Sequence, residues 1–278
     1  EYMLMLTLVC NEEPINYYTR VCWMEDCYMK ESLDFALDFH EQTFQEAQAD
    51  SLATYLEPDG LEDNSTLQKV TIHSSLKQVC WADFKGERLE IPVPSIKEMG
   101  SYFNSIVLKY VLTAAGENGE VEYYNVEEYY RLRYNSENSR MYLLNYERTM
   151  NQIFRGENAL VGKEGLTLGI RSDEVEYKTD EKGETLAFVQ EGELWGYHKG
   201  SRRFSRIFSF RSQEGISARD NNDSHQIEVM KVDEKGDIDF AVYGYMNRGS
   251  HEGQTGISVF HYDHTGNAIE EALFIPSD

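Results

Sequence analysis

Asp180-Glu181-Lys182-Gly183-Glu184-Thr185-Leu186-Ala187-Phe188-Val189 returns roughly fifty residues later as Asp233-Glu234-Lys235-Gly236-Asp237-Ile238-Asp239-Phe240-Ala241-Val242. Each copy leads into a second run of alternating apolar residues, Glu193-Leu194-Trp195-Gly196-Tyr197 and Ile257-Ser258-Val259-Phe260-His261-Tyr262. The common unit is strand, turn and strand, with an Asp-rich, Gly-closed turn between runs of period two. It predicts an antiparallel β array for the C-terminal part of the chain.

Outward from that repeat, the chain is 278 residues long, enough for two domains with cores of their own. It carries 49 acidic against 26 basic residues, a formal charge of −23. Such a field repels phosphate backbones and anionic lipid headgroups, which argues against nucleic acid as a partner. The acidic residues are dispersed, as on a well-hydrated surface. No stretch approaches the ~20 apolar residues of a membrane span. The opening run Tyr2-Met3-Leu4-Met5-Leu6-Thr7-Leu8-Val9 has no basic flank and reads as a strand or short buried segment. Start and end both look like cuts within a longer protein, so an anchor outside this segment is part of the expectation. Cys10, Cys22, Cys27 and Cys80 lack metal-site spacing, and either disulfides or buried free thiols fit them.

Residues 1–155 are read as an α+β domain. Leu33, Phe35, Ala36, Leu37, Phe39, Thr43, Phe44 and Ala47 follow helical spacing, with Ser32 as the expected cap. The turn signal Glu57-Pro58-Asp59-Gly60 ends that region. Strands are expected over 67–73, 79–84, 102–114, 120–134 and 140–150, with turns at 117–120 and 135–138. A boundary falls at 155–165, and residues 160–278 are read as all-β, with repeats over 172–210 and 225–275. Between the repeats lies a polar loop, 212–224.

Two resemblances attach to these residues. Phe35-Ala36-Leu37-Asp38-Phe39-His40, followed by Ala49-Asp50-Ser51-Leu52 and Thr54-Tyr55-Leu56-Glu57-Pro58-Asp59-Gly60, resembles the opening of NTF2-like domains. The similarity covers about 31–155. It implies a cystatin-like roll, in which a curved antiparallel sheet wraps a helix and leaves a cavity used for catalysis or docking. The pair of C-terminal repeats is similar to β-propeller blades, as in envelope proteins of Gram-positive bacteria. Two blades cannot close a ring, so the repeats are either part of a larger array or a small sandwich of related hairpins.

Candidate sites follow from residue chemistry. The second repeat carries an insertion, 244–256, in which Tyr245, Asn247, Arg248, His251 and Glu252 stand among four glycines. Such a loop suits binding of a carboxylate, a sugar or a partner's backbone, and equally a hairpin whose polar groups satisfy each other. The tyrosines at 123, 124, 129, 130, 134, 142 and 146 occupy the three long strands. Alternation sends some inward with Tyr110, either as cavity lining or as core packing. Arg131, Arg133, Arg140 and Arg148 stand among them, answering Glu127, Glu128 and Glu147 or an anionic partner. Tyr110, Tyr124 and Arg131 are the binding candidates of this domain. Asp220-Asn221-Asn222-Asp223 lacks the spacing of a calcium loop and reads as turn chemistry.

No nucleophile elbow, zincin, Walker or dinucleotide fingerprint is present. No cofactor or metal is expected, and no catalytic residue is assigned. The resulting expectation is a non-catalytic, extracytoplasmic docking or sensory module, part of a larger membrane-anchored envelope protein, with an unidentified protein or small-ligand partner. The alternatives are ligand binding or catalysis in the NTF2-like cavity, with His40, Asp38 and a tyrosine acting together, and a structural spacer.

Overall fold

The computed structural model describes residues 2–10, 13–45, 49–116, 119–156, 160–162, 165–170, 174–212, 217, 219–220 and 222–277. The chain divides into an α+β unit, residues 22–152 and 169–172, and a β unit, residues 1–21, 153–168 and 173–278. Residues 1–21, read above with the α+β domain, therefore group with the repeats. They form β1 (Tyr2–Cys10) and β2 (Glu13–Val21), an antiparallel hairpin in register from Tyr2 opposite Val21 to Cys10 opposite Glu13.

The α+β unit runs α1 (Met29–Thr43), α2 (Ala49–Leu52), a 3-10 turn at Ala53–Tyr55, β3 (Lys69–Thr71), α3 (Leu76–Val79), β4 (Glu87–Arg88), β5 (Ser95–Glu98), β6 (Asn104–Ala115), β7 (Val121–Asn135) and β8 (Arg140–Gln152). Its sheet has the order β3-β8-β7-β6-β4, with β5 also on β6, and all pairs are antiparallel. The helix starts one turn before the expected cap. Ser32 lies inside the first turn, fully buried, where its hydroxyl donates to Tyr28 O at 3.0 Å and receives Asn104 Nδ2 at 2.9 Å. The strand expected at 79–84 is instead the end of α3 and a turn in which Trp81 and Ala82 take positive φ. A short apolar run does not distinguish strand from helix, and burial of Val79 and Trp81 serves both. Along β7 the alternation is strict, with Tyr124, Val126, Glu128, Tyr130 and Leu132 turned inward. Ala36 and Phe39 of α1 pack on them, on Leu108 of β6 and on Tyr146 and Met150 of β8, filling the space between helix and sheet.

In the β unit, β9 (Leu160–Val161) pairs with β10 (Leu166–Thr167), and two four-stranded antiparallel meanders follow. The first is β11 (Tyr177–Thr179), β12 (Thr185–Gln190), β13 (Glu193–His198) and β14 (Arg203–Phe208); the second is β15 (His225–Val232), β16 (Ile238–Tyr245), β17 (Thr255–Asp263) and β18 (Ala268–Pro276). Among the described residues the sheets close neither a barrel nor a propeller. The repeated turn works the same way twice: Asp180 Oδ1 accepts Thr185 N at 2.7 Å, Asp233 Oδ1 accepts Asp237 N at 3.0 Å, and left-handed Gly183 and Gly236 close the loops.

The first turn is one residue longer, because Thr179 faces Leu186 whereas Val232 faces Ile238. Structural equivalence after the turn is therefore offset from the sequence match: Leu186 corresponds to Ile238, and Phe188 to Phe240. The ladders confirm it. Both meanders carry a register shift at one position of the third strand, between Leu194 and Trp195 and between Val259 and Phe260. With that offset the packing is tandem. Ala187, Leu194 and Ile207 of the first sheet meet Ile238, Phe240 and Tyr262 of the second. The first sheet's other face, Phe188 and Trp195, is covered by Phe154, Leu166, Leu168 and Val175. The second sheet's other face is open.

Candidate functional site

Two constellations bring functional side chains together, one in each unit. In the α+β unit the register places Glu128 of β7 opposite Arg148 of β8, both fully buried. Glu128 takes three donors: Tyr110 hydroxyl on Oε1 at 2.8 Å, Tyr130 hydroxyl on Oε2 at 2.6 Å and His40 Nδ1 on Oε2 at 2.9 Å. Arg88 Nη1 reaches His40 Nε2 at 2.8 Å while its guanidinium also forks onto the Glu41 carboxylate. A guanidinium has no acceptor, so Nε2 holds the ring's lone pair and the proton resides on Nδ1, donated to Glu128. Burial pushes the Glu128 carboxyl up, but the His40 imidazole, its hydrogen bond and the Arg148 guanidinium pull it down further, and the net shift is downward. Burial first, then the Glu128 charge, drives the Tyr110 and Tyr130 hydroxyls well above their ordinary value. Arg148 donates to Val79 O and Gln78 O at 2.8 Å each and stacks on Trp81 with its guanidinium carbon 3.5 Å from the ring centre.

This arrangement stores charge inside a packed core. His40 Nε2, the atom a general base would offer, is covered by Arg88, and Arg88 is itself held over the Phe44 ring at 4.7 Å. Asp38 is exposed on the other side of α1, so the acid–base pair expected of Asp38 and His40 does not form; the partner of His40 is Glu128. The signal for it was legible: a glutamate in phase with Tyr124, Val126, Tyr130 and Leu132 on a core-facing strand has to find donors inside. Which donors these are depends on α1 and β6, which bring His40 and Tyr110, while Tyr130 comes from β7 itself.

The other candidates of this unit are placed as follows. Tyr110 joins the Glu128 cluster. Tyr124 is buried, and its hydroxyl donates to Glu122 Oε2 at 2.6 Å; burial first and this carboxylate second raise its pKa. Arg131 stacks on Phe103 at 3.8 Å, and Arg133 and Arg140 both lie over the Tyr142 ring. Glu127 and Glu147 pair with Lys109 and Lys69, not with the arginines. Cys22, Cys27 and Cys80 are free thiols, and the Cys10 side chain lies outside the described residues.

In the β unit the insertion replaces the two-residue turn Glu191-Gly192 of the first meander with a loop between β16 and β17. The loop is tied at every candidate. Tyr245 N donates to Ser224 O at 2.8 Å. Asn247 Nδ2 donates to Arg219 O at 2.7 Å, and Arg219 Nη2 returns to Asn247 O at the same distance. Arg248 Nε donates to Phe210 O at 2.6 Å and its Nη2 to Asp220 Oδ1 at 3.0 Å. His251 stacks on Phe274 with ring centres 3.7 Å apart and meets Glu271 Oε2 at 3.1 Å. Glu252 Oε1 receives Arg219 Nη2 at 2.7 Å and the Tyr17 hydroxyl of β2 at 3.1 Å, which fastens the N-terminal hairpin to the loop. Asp220 spends its carboxylate on Ser212, Ser217 and Arg248. Burial opposes ionisation there, and the Ser217 and Ser212 donors outweigh it, holding this carboxyl far below the ordinary range. Among the described residues no group of three or more His, Cys, Asp and Glu side chains is arranged to hold a metal ion, and no helix is long and apolar enough to cross a membrane.

The insertion thus forms a braced ledge whose polar groups hold its own shape. Beside it the open face of the second sheet presents Tyr243, Ile257, Leu273 and Ile275, each between 40% and 51% exposed. No protein-family model and no curated protein matches this chain.

Proposed function

We propose that this chain is a non-catalytic recognition module that docks a protein partner through the open face of the second meander. The observation that carries this reading is the exposed apolar row Tyr243, Ile257, Leu273 and Ile275. Monomeric proteins seldom leave contiguous apolar area of this kind uncovered unless it binds something. The partner's docking element is an apolar sheet face, because the equivalent face of the first meander, with Leu194 and Phe208 where the second has Val259 and Leu273, already accepts a sheet. In the same reading the meanders are blade-like and residues 31–155 are an NTF2-like roll, supported by α1 lying on an antiparallel sheet of three long strands.

A photo-crosslinking amino acid at 257 or 273, and a control at Lys182 on the repeated turn, tests the docking face in cells. A discrete adduct from 257 and 273 that is absent from 182 is the expected outcome. Equal labelling at all three positions, or none, overturns it. The extracytoplasmic, envelope-associated location belongs to the same proposal and rests on the two resemblances together, the NTF2-like one of 31–155 and the blade-like one of the repeats; protection or cleavage by protease added to intact cells decides it.

A further inference from the structure

Where the two meanders of the β unit meet, Phe208 of β14 packs on Phe240 and Phe260, with ring centres 5.8 and 5.3 Å apart. Phe260 faces Glu271 across the ladder, and Tyr262 faces Ile269, so the same side of the second sheet continues onto β18. There the cover thins: the Glu271 side chain is 27% exposed and Ile269 43%. This margin and the 244–256 insertion border a cavity of about 320 Å³, with Phe208, Phe210 and Phe260 in its wall. Small-molecule sites begin at roughly 300 Å³.

The described lining holds one cation, Arg248, and one carboxylate, Glu271. Arg248 donates Nε to Phe210 O and Nη2 to Asp220, which fixes the guanidinium. Its Nη1 is accessible and has no partner among the described residues. Glu271 accepts Ser258 Oγ on Oε1 and His251 Nε2 on Oε2, and each oxygen keeps a further lone pair. His251 is held in turn by its stack on Phe274. Both charges are therefore set in place by the protein itself, which lowers the ordering cost of binding.

We propose that this cavity binds a free aromatic α-amino acid, its ring against the phenylalanines, its carboxylate on Arg248 Nη1 and its ammonium on Glu271. Aromatic rings gain from edge and offset contacts with one another beyond the area they bury. The net charge of −23 repels a bare anion at long range, and a zwitterion escapes that repulsion. The cavity shares no residue with the docking row of the second meander. Ser258 and Phe260 alternate with Ile257 along β17, so cavity and row lie on opposite sides of that strand, and either proposal fails without the other.

The test titrates L-phenylalanine into the full chain, by calorimetry and by methyl spectra of the isoleucines. The expected result is saturable one-to-one binding that shifts Ile207 and Ile269, which line the cavity, and leaves Ile257 and Ile275 of the docking row in place. Phenylpropionate, without the ammonium, and phenethylamine, without the carboxylate, each bind at least tenfold more weakly, since each forfeits a charged hydrogen bond. Ser250→Trp, at an exposed lining position, weakens binding at least tenfold, whereas Lys235→Trp on the repeated turn leaves it within twofold. Absence of saturable binding to the wild-type chain overturns the proposal. So does equal binding of either single-charge analogue, or a shift of Ile257 and Ile275 in place of Ile207 and Ile269.

Discussion

Replacing Glu128 probes the buried cluster most directly. Glu128→Gln keeps the shape and removes the charge. Three donors at 2.6–2.9 Å then address a neutral amide in place of a carboxylate. Hydrogen bonds to a charged group are worth about 1 kcal/mol more than neutral ones, which makes about 3 kcal/mol over three bonds. Relief from burying a charge returns part of this, leaving a net loss of about 2 kcal/mol. Glu128→Ala strands three buried donors and opens a cavity, at a cost of about 4–6 kcal/mol. The assay is urea unfolding followed by Trp81 fluorescence, with Trp23 and Trp195 changed to Phe, because Trp81 is 4% exposed inside the α+β unit. With a slope of about 1–3 kcal/mol per molar urea, the glutamine variant moves the midpoint down by about 1 M. The sign of the pH effect follows from the depressed carboxyl. Its stabilisation is fully present above the ordinary glutamate range and is lost as pH falls through the lowered folded value, so the gap between wild type and Glu128→Gln closes in acid. A midpoint unchanged within error at neutral pH, or a gap that widens in acid, refutes the ionised-carboxylate account.

Further outcomes follow from the same geometry. Arg148→Met takes the guanidinium from two carbonyls and from the Trp81 face, and lowers the stability of the α+β unit by about 3–5 kcal/mol in the same urea assay. Asp220→Ala leaves the Ser212 and Ser217 donors and Arg248 unanswered, for a loss of about 2–4 kcal/mol measured on the β unit by calorimetry; the wild-type contribution is retained at neutral pH and lost only in strong acid, because that carboxyl is held so low. Gly244→Ala sets a Cβ 2.5 Å from Ser224 O at a φ of 112°, and destabilises the β unit by more than 2 kcal/mol, whereas Gly183→Ala, with open space around it, costs about 1 kcal/mol. His251→Ala removes the stack on Phe274, and hydrogen exchange at the Met246 and Gly253 amides speeds up roughly fivefold, for about 1 kcal/mol of lost local stability.

What the amino-acid sequence by itself determined is short-range. The alternating runs after the two Asp-to-Gly turns, and the run Glu193–Tyr197, were readable as strands and are found at Thr185–Gln190, Ile238–Tyr245 and Glu193–His198, because alternation and such a turn act within a few positions. The three long strands of the α+β unit were readable for the same reason. The tertiary structure alone decided what depends on distant partners. A turn one residue longer in the first repeat shifts every equivalence after it, so Phe188 matches Phe240 although the sequence pairs Ala187 with Phe240. The strand β2 gains its place from β1, and its anchor from Tyr17 reaching Glu252 across the chain. Glu128 is visible in the sequence as a misplaced charge on a core-facing strand. Its donors, His40, Tyr110 and Tyr130, come from a helix and two strands, and Arg88 on a fourth element covers the imidazole. Local preference reports which residues must be buried, while pairing between elements far apart in the chain sets what each buried group meets.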